Sequence, residues 1–299
     1  IGRSASGYWK FISVAVTSIL PSCKAEALKF SKSLSQRKAC YAPASMHEDC
    51  DKRIVQAHTI SKSSSLKAIA DSSNHVMGVI MNLASLMRNN GKWLPEKIGI
   101  NQASTFTGFC AVHDRILFSC LENEKFTGTD EQCFALMFRS LSKEIYAKEG
   151  GVLSSDFAKN ADKGKLQVEQ YYIQKLIEQH QSGLNAAIIE LNNLKTSLDR
   201  ILLSRQFSEI ESVIFTFAEP LPIVVSSILS PERDFDGTKI QDLSDLTVSA
   251  EQVCFNAFSC GGKGYVVFSW LRTSTIIRRF IRTLIKIPAN RMFNTLLYF

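Results

Sequence analysis

Residues 106–114 read Phe-Thr-Gly-Phe-Cys-Ala-Val-His-Asp, and this stretch carries the clearest chemical signal in the chain. Cys110 and His113 are separated by two residues, a spacing that lets both side chains reach one metal ion. A structural zinc ion takes four nitrogen or sulfur ligands in a tetrahedron. The stretch therefore predicts a zinc site whose other two ligands lie elsewhere in the chain.

The other pair of ligands is expected upstream of this stretch. Cys40 and Cys50 are the nearest thiols, although the gap between them is longer than usual for a zinc pair. His47, three residues before Cys50, offers a tighter alternative. We favour Cys40 over His47 because a thiolate binds zinc more firmly than an exposed imidazole. The predicted zinc ligands are Cys40, Cys50, Cys110 and His113.

The composition is that of an ordinary globular protein. The chain has 299 residues, of which 45% are hydrophobic and 21% charged, enough for about two domains. These values exclude a disordered tail, a collagen-like repeat and a small disulfide scaffold. No uncharged apolar run reaches the roughly 18 residues of a membrane span, so we do not expect a membrane protein.

The eight cysteines raise the question of the redox compartment. An apolar run at residues 11–20 follows Arg3 and Lys10 and is similar to the apolar region of a signal peptide, which would allow extracellular disulfides. Cysteines clustered between residues 40 and 133 fit metal-bound thiolates better. We therefore expect a cytoplasmic protein.

Positive charge is concentrated at the two ends of the chain. The net charge is +7, and residues 1–40 and residues 271–299 each carry a net +6. A basic patch made by the two ends could bind nucleic-acid phosphates or an anionic membrane surface. The alternative is scattered surface charge that serves solubility.

The chain divides by pattern into four regions. Residues 1–35 are a basic N-terminal extension with a short helical piece. Residues 36–125 are mostly loop-like and hold four of the five histidines, so this region needs an organiser such as a metal. Residues 126–205 are helical. Residues 206–299 are β-rich and end in a basic amphipathic helix, so we predict an α+β fold.

Residues 166–202 hold apolar side chains at alternating spacings of three and four, a pattern typical of a coiled-coil seam. The seam packs against the same chain or joins two copies in a homo-oligomer. In the β-rich region, residues 210–217, 223–229 and 246–258 are predicted strands, and Gly261-Gly262 predicts a hairpin. Before the helical region, four acids are interpreted as a solvated face: Glu122, Glu124, Asp130 and Glu131.

Two blocks together carry a family resemblance. Residues 54–63, Ile-Val-Gln-Ala-His-Thr-Ile-Ser-Lys-Ser, and residues 106–114 resemble the HNH (ββα-metal) nucleases, including largely uncharacterised bacterial HNH-like proteins. The resemblance covers about residues 40–125. It implies a treble-clef-like zinc module in which His58 is the general base, Asn101 orients that base, and Asp114 holds Mg²⁺ or Mn²⁺.

The function implied by the resemblance is metal-dependent cleavage of DNA or RNA, in a bacterial defence setting. One position departs from the family pattern, because Ala57 stands where an acid or a histidine usually precedes the base. His75 and Asp51 are the candidates to replace that ligand. The alternative function is a non-catalytic, zinc-stabilised module that binds nucleic acid or protein.

Overall fold

The computed structural model describes residues 21–80, 82–90, 92–288, 291 and 295. The apolar run at residues 11–20 and most of the predicted N-terminal extension lie outside the described residues. The strands are β1 (Ile54–His58), β2 (His75–Val79), β3 (Pro95–Gly99), β4 (Thr105–Cys110), β5 (Ile210–Phe217), β6 (Val225–Leu229), β7 (Val253–Cys260) and β8 (Lys263–Leu271). The helices are α1 (Pro21–Ser35), α2 (Lys67–Ile69), α3 (Leu83–Arg88), α4 (Ala111–Leu117), α5 (Ser119–Glu122), α6 (Asp130–Ala158), α7 (Gln167–Ser204) and α8 (Thr275–Leu284).

Strands β1 and β4 form an antiparallel pair that leads directly into helix α4, and β1, β4 and residues 111–118 are called the ββα unit below. Ile54 lies opposite Cys110, and His58 lies opposite Thr105. Cys110 both ends β4 and caps α4, since its Sγ accepts a hydrogen bond from the His113 amide. The expectation that residues 36–125 are mostly loop-like is thus wrong in part. Short strands form there, and β1 and β4 pair across an insertion of more than forty residues.

The insertion between β1 and β4 builds a second, smaller hairpin. Strands β2 and β3 pair from His75 opposite Gly99 to Val79 opposite Pro95. Val76 and Ile100 pack with Leu66 and Ala103 in a small apolar cluster. This cluster places Ile100, the residue that follows β3, back beside the end of β1.

Helices α6 and α7 pack against one another and supply the largest core. The short 3₁₀ turn Lys159–Asp162 follows α6 and lies just before α7. Leu191, Leu194, Leu198 and Ile201 share one buried cluster with Met137, Phe138 and Leu141. The C-terminal part of the predicted seam therefore packs within the chain, and Gly183 is buried inside α7 without breaking it.

The N-terminal half of α7 is different, because several large apolar side chains there are exposed. Val168 is 58% exposed, Tyr172 is 63% exposed and Leu176 is 41% exposed. The homo-oligomer predicted through residues 166–202 stays a prediction.

The C-terminal region is a four-stranded antiparallel sheet in the order β5-β8-β7-β6. Gly261 and Gly262 form the predicted β7–β8 turn with φ values of 58° and 79°, which glycine adopts at little cost. The strand predicted over residues 246–258 begins only at Val253. Upstream of it, Asp242 and Asp245 accept hydrogen bonds from the amides two residues on, and such turns interrupt an extended strand.

The closing helix α8 covers one face of this sheet. Ile277, Phe280, Ile281 and Leu284 are buried with Phe268 and Trp270. Glu251 accepts hydrogen bonds from the amides of Thr275, Ile276 and Ile277, so the carboxylate fixes where α8 begins. The amphipathic character predicted for this helix is confirmed, except that Ile285, expected in its apolar stripe, follows the helix and is 55% exposed.

One apolar core joins parts of the chain that are distant in sequence. Phe109 and Phe118 from the ββα unit share it with Phe138, Leu198 and Cys254. Helices and antiparallel sheets pack on one another, so the predicted α+β class is confirmed. The predicted boundaries at residues 36–125, 126–205 and 206–299 stay predictions.

Candidate functional site

Cys40, Cys50, Cys110 and His113 form a group that could hold a metal ion. Their ligand atoms, three Sγ and one imidazole nitrogen, all lie within 4.8 Å of one another. The His113 Nδ1 lies 3.3 Å from Cys40 Sγ and 3.2 Å from Cys110 Sγ. Cys110 and His113 are fully buried. The structure brings together the four residues that the sequence predicts as ligands.

Main-chain pairing explains how Cys40 reaches this group. The amides of Ala39 and Tyr41 donate to the carbonyls of Thr107 and Gly108, at 3.1 Å and 2.9 Å. The segment around Cys40 thus lies along the second edge of β4. Strand β4 therefore ends in the predicted ligand Cys110 and positions a second predicted ligand, Cys40, along its edge.

A compact turn returns the chain from Cys40 to the metal group at Cys50. Residues Ala44–Asp49 form a 3₁₀ helix, and the Cys50 amide donates to the His47 carbonyl at 3.2 Å. His47 points its Nε2 at the Ala42 carbonyl, 3.0 Å away. Cys40, and not the alternative His47, therefore belongs to the group.

The donors fit zinc. Ligands about 2.3 Å (sulfur) and about 2.0–2.1 Å (nitrogen) from one ion in a tetrahedron lie roughly 3.5 Å apart, close to the sulfur–nitrogen distances here. Burial and the neighbouring thiols Cys50 and Cys40 raise the pKa of Cys110 to about 11, so it is a neutral thiol without a cation. A bound cation reverses this balance, because it stabilises the thiolates.

His58 lies at the end of β1 with one ring nitrogen committed to the main chain. Its Nε2 is 3.0 Å from the carbonyl oxygen of Ile100. A carbonyl oxygen only accepts, so Nε2 carries the proton in the neutral ring and Nδ1 keeps its lone pair. This arrangement suits an imidazole that takes a proton through Nδ1.

Asn101 follows directly after the carbonyl that holds His58. Its amide oxygen accepts a hydrogen bond from Lys62 Nζ at 2.9 Å, and the side chain is exposed. The group that orients His58 among the described residues is thus the Ile100 carbonyl. The orienting role that the resemblance gives to Asn101 stays a prediction.

Asp114 stands in the first turn of α4, next to His113. Its Oδ1 is buried and has no hydrogen-bond partner among the described residues. Burial raises the pKa of this carboxyl, Arg139 opposes the increase, Glu122 adds to it, and His58 slightly opposes it. The catalytic roles that the resemblance gives to His58 and Asp114 stay predictions.

Two further charged residues adjoin Asp114, and neither was expected there from the sequence. Arg139, on α6, is 3% exposed and places Nη2 at 4.0 Å from Asp114 Oδ1. Its Nη1 donates to Glu122 Oε1 at 2.7 Å, and its Cζ lies 4.0 Å above the ring of Phe118. Glu122, interpreted from the sequence as part of a solvated acidic face, is exposed and in addition pairs with this buried guanidinium.

A sequence signal for Arg139 does exist. Arg139 is the one charged residue in the mostly apolar run 132–142, a pattern typical of a helix that is covered on all sides, as these residues are in the structure. A lone arginine inside such a stretch must have a buried partner, because an uncompensated charge in a core is costly.

The two residues proposed to replace a ligand at Ala57 have other partners. His75 Nδ1 lies 2.8 Å from the Ser73 carbonyl, and Asp51 forms an ion pair with Arg53 at 3.7 Å. Ala57 itself is 4% exposed and lies opposite Phe106 in the β1–β4 pair. The described contacts thus place neither candidate at His58.

Comparisons with protein-family models, curated proteins and solved structures find no match for this chain. None of the described helices combines the length and the apolar character that crossing a bilayer requires.

Proposed function

We propose that this protein is a metal-dependent nucleic-acid endonuclease of the HNH type. The single observation that carries the proposal is the hydrogen bond from His58 to the Ile100 carbonyl. This bond leaves Nδ1 of the imidazole as the proton acceptor. His58 lies on β1, which pairs with β4, and α4 follows β4. Histidine is the side chain that most often serves as a general base in enzymes.

In this function, His58 Nδ1 takes a proton from a water molecule. The water oxygen then attacks phosphorus, the bond from phosphorus to one sugar oxygen breaks, and that oxygen leaves with a proton from solvent. Mg²⁺ or Mn²⁺ on the Asp114 carboxylate would stabilise the negative charge that develops on the phosphate. Zinc on the Cys₃His group serves the structure, because it ties the residue 40–50 segment to β4 and α4.

The C-terminal end of the described chain supports an anionic substrate. On α8, Arg282 is exposed, and Lys286 just beyond this helix is also exposed. Arg278 is less available, since it pairs with Glu211 at 3.0 Å and donates to the Arg272 carbonyl at 2.7 Å. Arg282 and Lys286 are therefore better placed than Arg278 to contact a nucleic-acid backbone.

A non-catalytic, zinc-stabilised binding module is the second candidate function. The observation that favours it is Ala57, a buried methyl group at the position where the HNH family places a polar metal ligand. In that case the hydrogen bond from His58 to Ile100 only stabilises the end of β1.

Cleavage assays separate the two functions. Purified protein is incubated with plasmid, single-stranded DNA and RNA in the presence of Mg²⁺, Mn²⁺ or Ni²⁺. The endonuclease proposal requires cleavage of at least one substrate by the wild type and its loss in His58→Ala. His75→Ala is the matched control, because His75 is a strand histidine bonded to a carbonyl within the same module. Binding without cleavage supports the second function.

A further inference from the structure

We propose that the guanidinium of Arg139 binds a phosphate group of the nucleic-acid backbone beside Asp114. The choice of a backbone phosphate as the ligand rests on the proposed function. The inference that Arg139 binds a phosphate group does not rest on the proposed function, because it is drawn from the geometry around this side chain.

The first observation is that Arg139 is buried but not fully bonded. Its side chain is 3% exposed, and its Nε has no hydrogen-bond partner among the described residues. The adjacent Nη2 faces Asp114 Oδ1 across 4.0 Å, which is too long for a hydrogen bond. An unsatisfied buried donor is rare in folded proteins, and a bound ligand or water is an ordinary explanation.

The second observation is a cavity that Arg139 lines. The cavity has a volume of about 40 Å³ and lies between residues 59–65, residues 121–126, α6 and β7. Ser61, Ser64, Glu122 and Glu124 also line it, as do Thr59 and Ser65, whose hydroxyls donate to the Ser104 and Ser259 carbonyls. Thr59 directly follows His58, so the cavity adjoins the end of β1. The remaining hydroxyls, those of Ser61 and Ser64, are suitable donors for phosphate oxygens next to the guanidinium.

The third observation concerns the group that now bonds to the guanidinium. Glu122 accepts from Nη1 at 2.7 Å, and its side chain is 45% exposed. Water can solvate this carboxylate when it leaves, but the buried guanidinium needs another anion in its place. A phosphate offers two oxygens to the planar guanidinium, whereas Glu122 places one oxygen on it. Glu122 and a phosphate therefore compete for one cation.

The test measures inorganic phosphate binding and cleavage on the full chain. The variants are Arg139→Lys, Arg139→Met and Glu122→Gln. Arg37→Met is the matched control, since Arg37 also lies over an aromatic ring, with Cζ 4.1 Å from the centre of Tyr146, and pairs with Glu149. Zinc content and thermal unfolding are followed for every variant, and phosphate binding is measured by calorimetry at constant ionic strength.

We expect phosphate affinity to fall by about tenfold or more in both Arg139 variants, the size of a charge-assisted hydrogen bond, and to rise in Glu122→Gln. Arg37→Met should bind phosphate like the wild type. kcat/KM for cleavage should follow the same order. Equal phosphate binding by the wild type, Arg139→Lys and Glu122→Gln would overturn the proposal, as would a wild type that binds no phosphate. Phosphate binding that depends on Arg139, in a protein that cuts nothing, would sustain this site and reject the endonuclease.

Discussion

The His58 imidazole is bonded through Nε2 to the main-chain carbonyl of Ile100, 42 residues further along the chain. This contact fixes the ring at the end of β1 and ties it to the end of the β2–β3 insertion. The insertion is held in turn by the packing of Val76 and Ile100 against Leu66 and Ala103. The orientation of the proposed base thus depends on a segment outside the ββα unit.

Replacing His58 by Ala is expected to lower the cleavage rate by about 10²–10⁴-fold, the usual contribution of a general base. Zinc content and DNA affinity should not change, because His58 is not in the metal group and Nδ1 acts only in the reaction. Single-turnover cleavage measures the effect, with His75→Ala as control. A His58→Ala protein that cuts as fast as the wild type would reject the assignment.

Asp114→Asn should also abolish cleavage, because an amide is a poorer ligand for Mg²⁺ or Mn²⁺ than a carboxylate. The change preserves the shape of a side chain whose Oδ1 is buried, so the fold should survive. Asp130→Asn, the same change at an exposed acid in the first turn of α6, is the control. Cleavage as a function of Mn²⁺ concentration is the measurement, and an unchanged metal dependence in Asp114→Asn would contradict the prediction.

Purified protein should contain about one zinc ion per chain, and Cys110→Ser should lose it. Sites of this kind contribute on the order of 10 kcal/mol to folding in small domains, so the variant should melt at lower temperature. Elemental analysis and thermal unfolding test this. Cys120→Ser controls for the loss of a buried thiol, since Cys120 is buried but outside the metal group. Metal-free protein that melts like the zinc-bound form would exclude a structural ion.

Replacing Arg282 and Lys286 together by Ala should weaken nucleic-acid binding equally for all sequences. The slope of log K against log salt should become less steep by about 0.9 for each phosphate that is no longer neutralised. Arg278→Ala should instead reduce stability, because Arg278 holds Glu211 and the Arg272 carbonyl. Salt titrations of DNA affinity compare the double variant with Arg278→Ala. Equal slopes for the wild type and the double variant would mean that Arg282 and Lys286 are only surface charges.

Leu198→Ala should cost about 2–5 kcal/mol of unfolding free energy, since Leu198 is fully buried between α7 and α6. Tyr172→Ala, on the exposed half of the same helix, should cost no more than about 0.5 kcal/mol. Urea unfolding gives both values. Sedimentation of the Tyr172 variant tests self-association, because dissociation of an oligomer by this change would assign the exposed half to an interface between copies.

The sequence by itself determined the local features of this protein. The two-residue spacing of Cys110 and His113 was sufficient to predict a chelating pair, since the distance between such neighbours is set by one turn of backbone. Apolar periodicity likewise determined α7 and the buried face of α8, and Gly261-Gly262 determined a hairpin, because each depends on residues close in the chain.

Only the tertiary structure decided which distant residues share a site. The pairing of residues 39–41 with β4 brings Cys40 to Cys110, and the return of the insertion brings the Ile100 carbonyl to His58. Arg139 reaches Asp114 from the middle of α6, where local pattern identifies only a buried helix. Such contacts depend on how separate elements pack. The free energy of that packing is spread over many side chains, so no single sequence motif predicts these contacts.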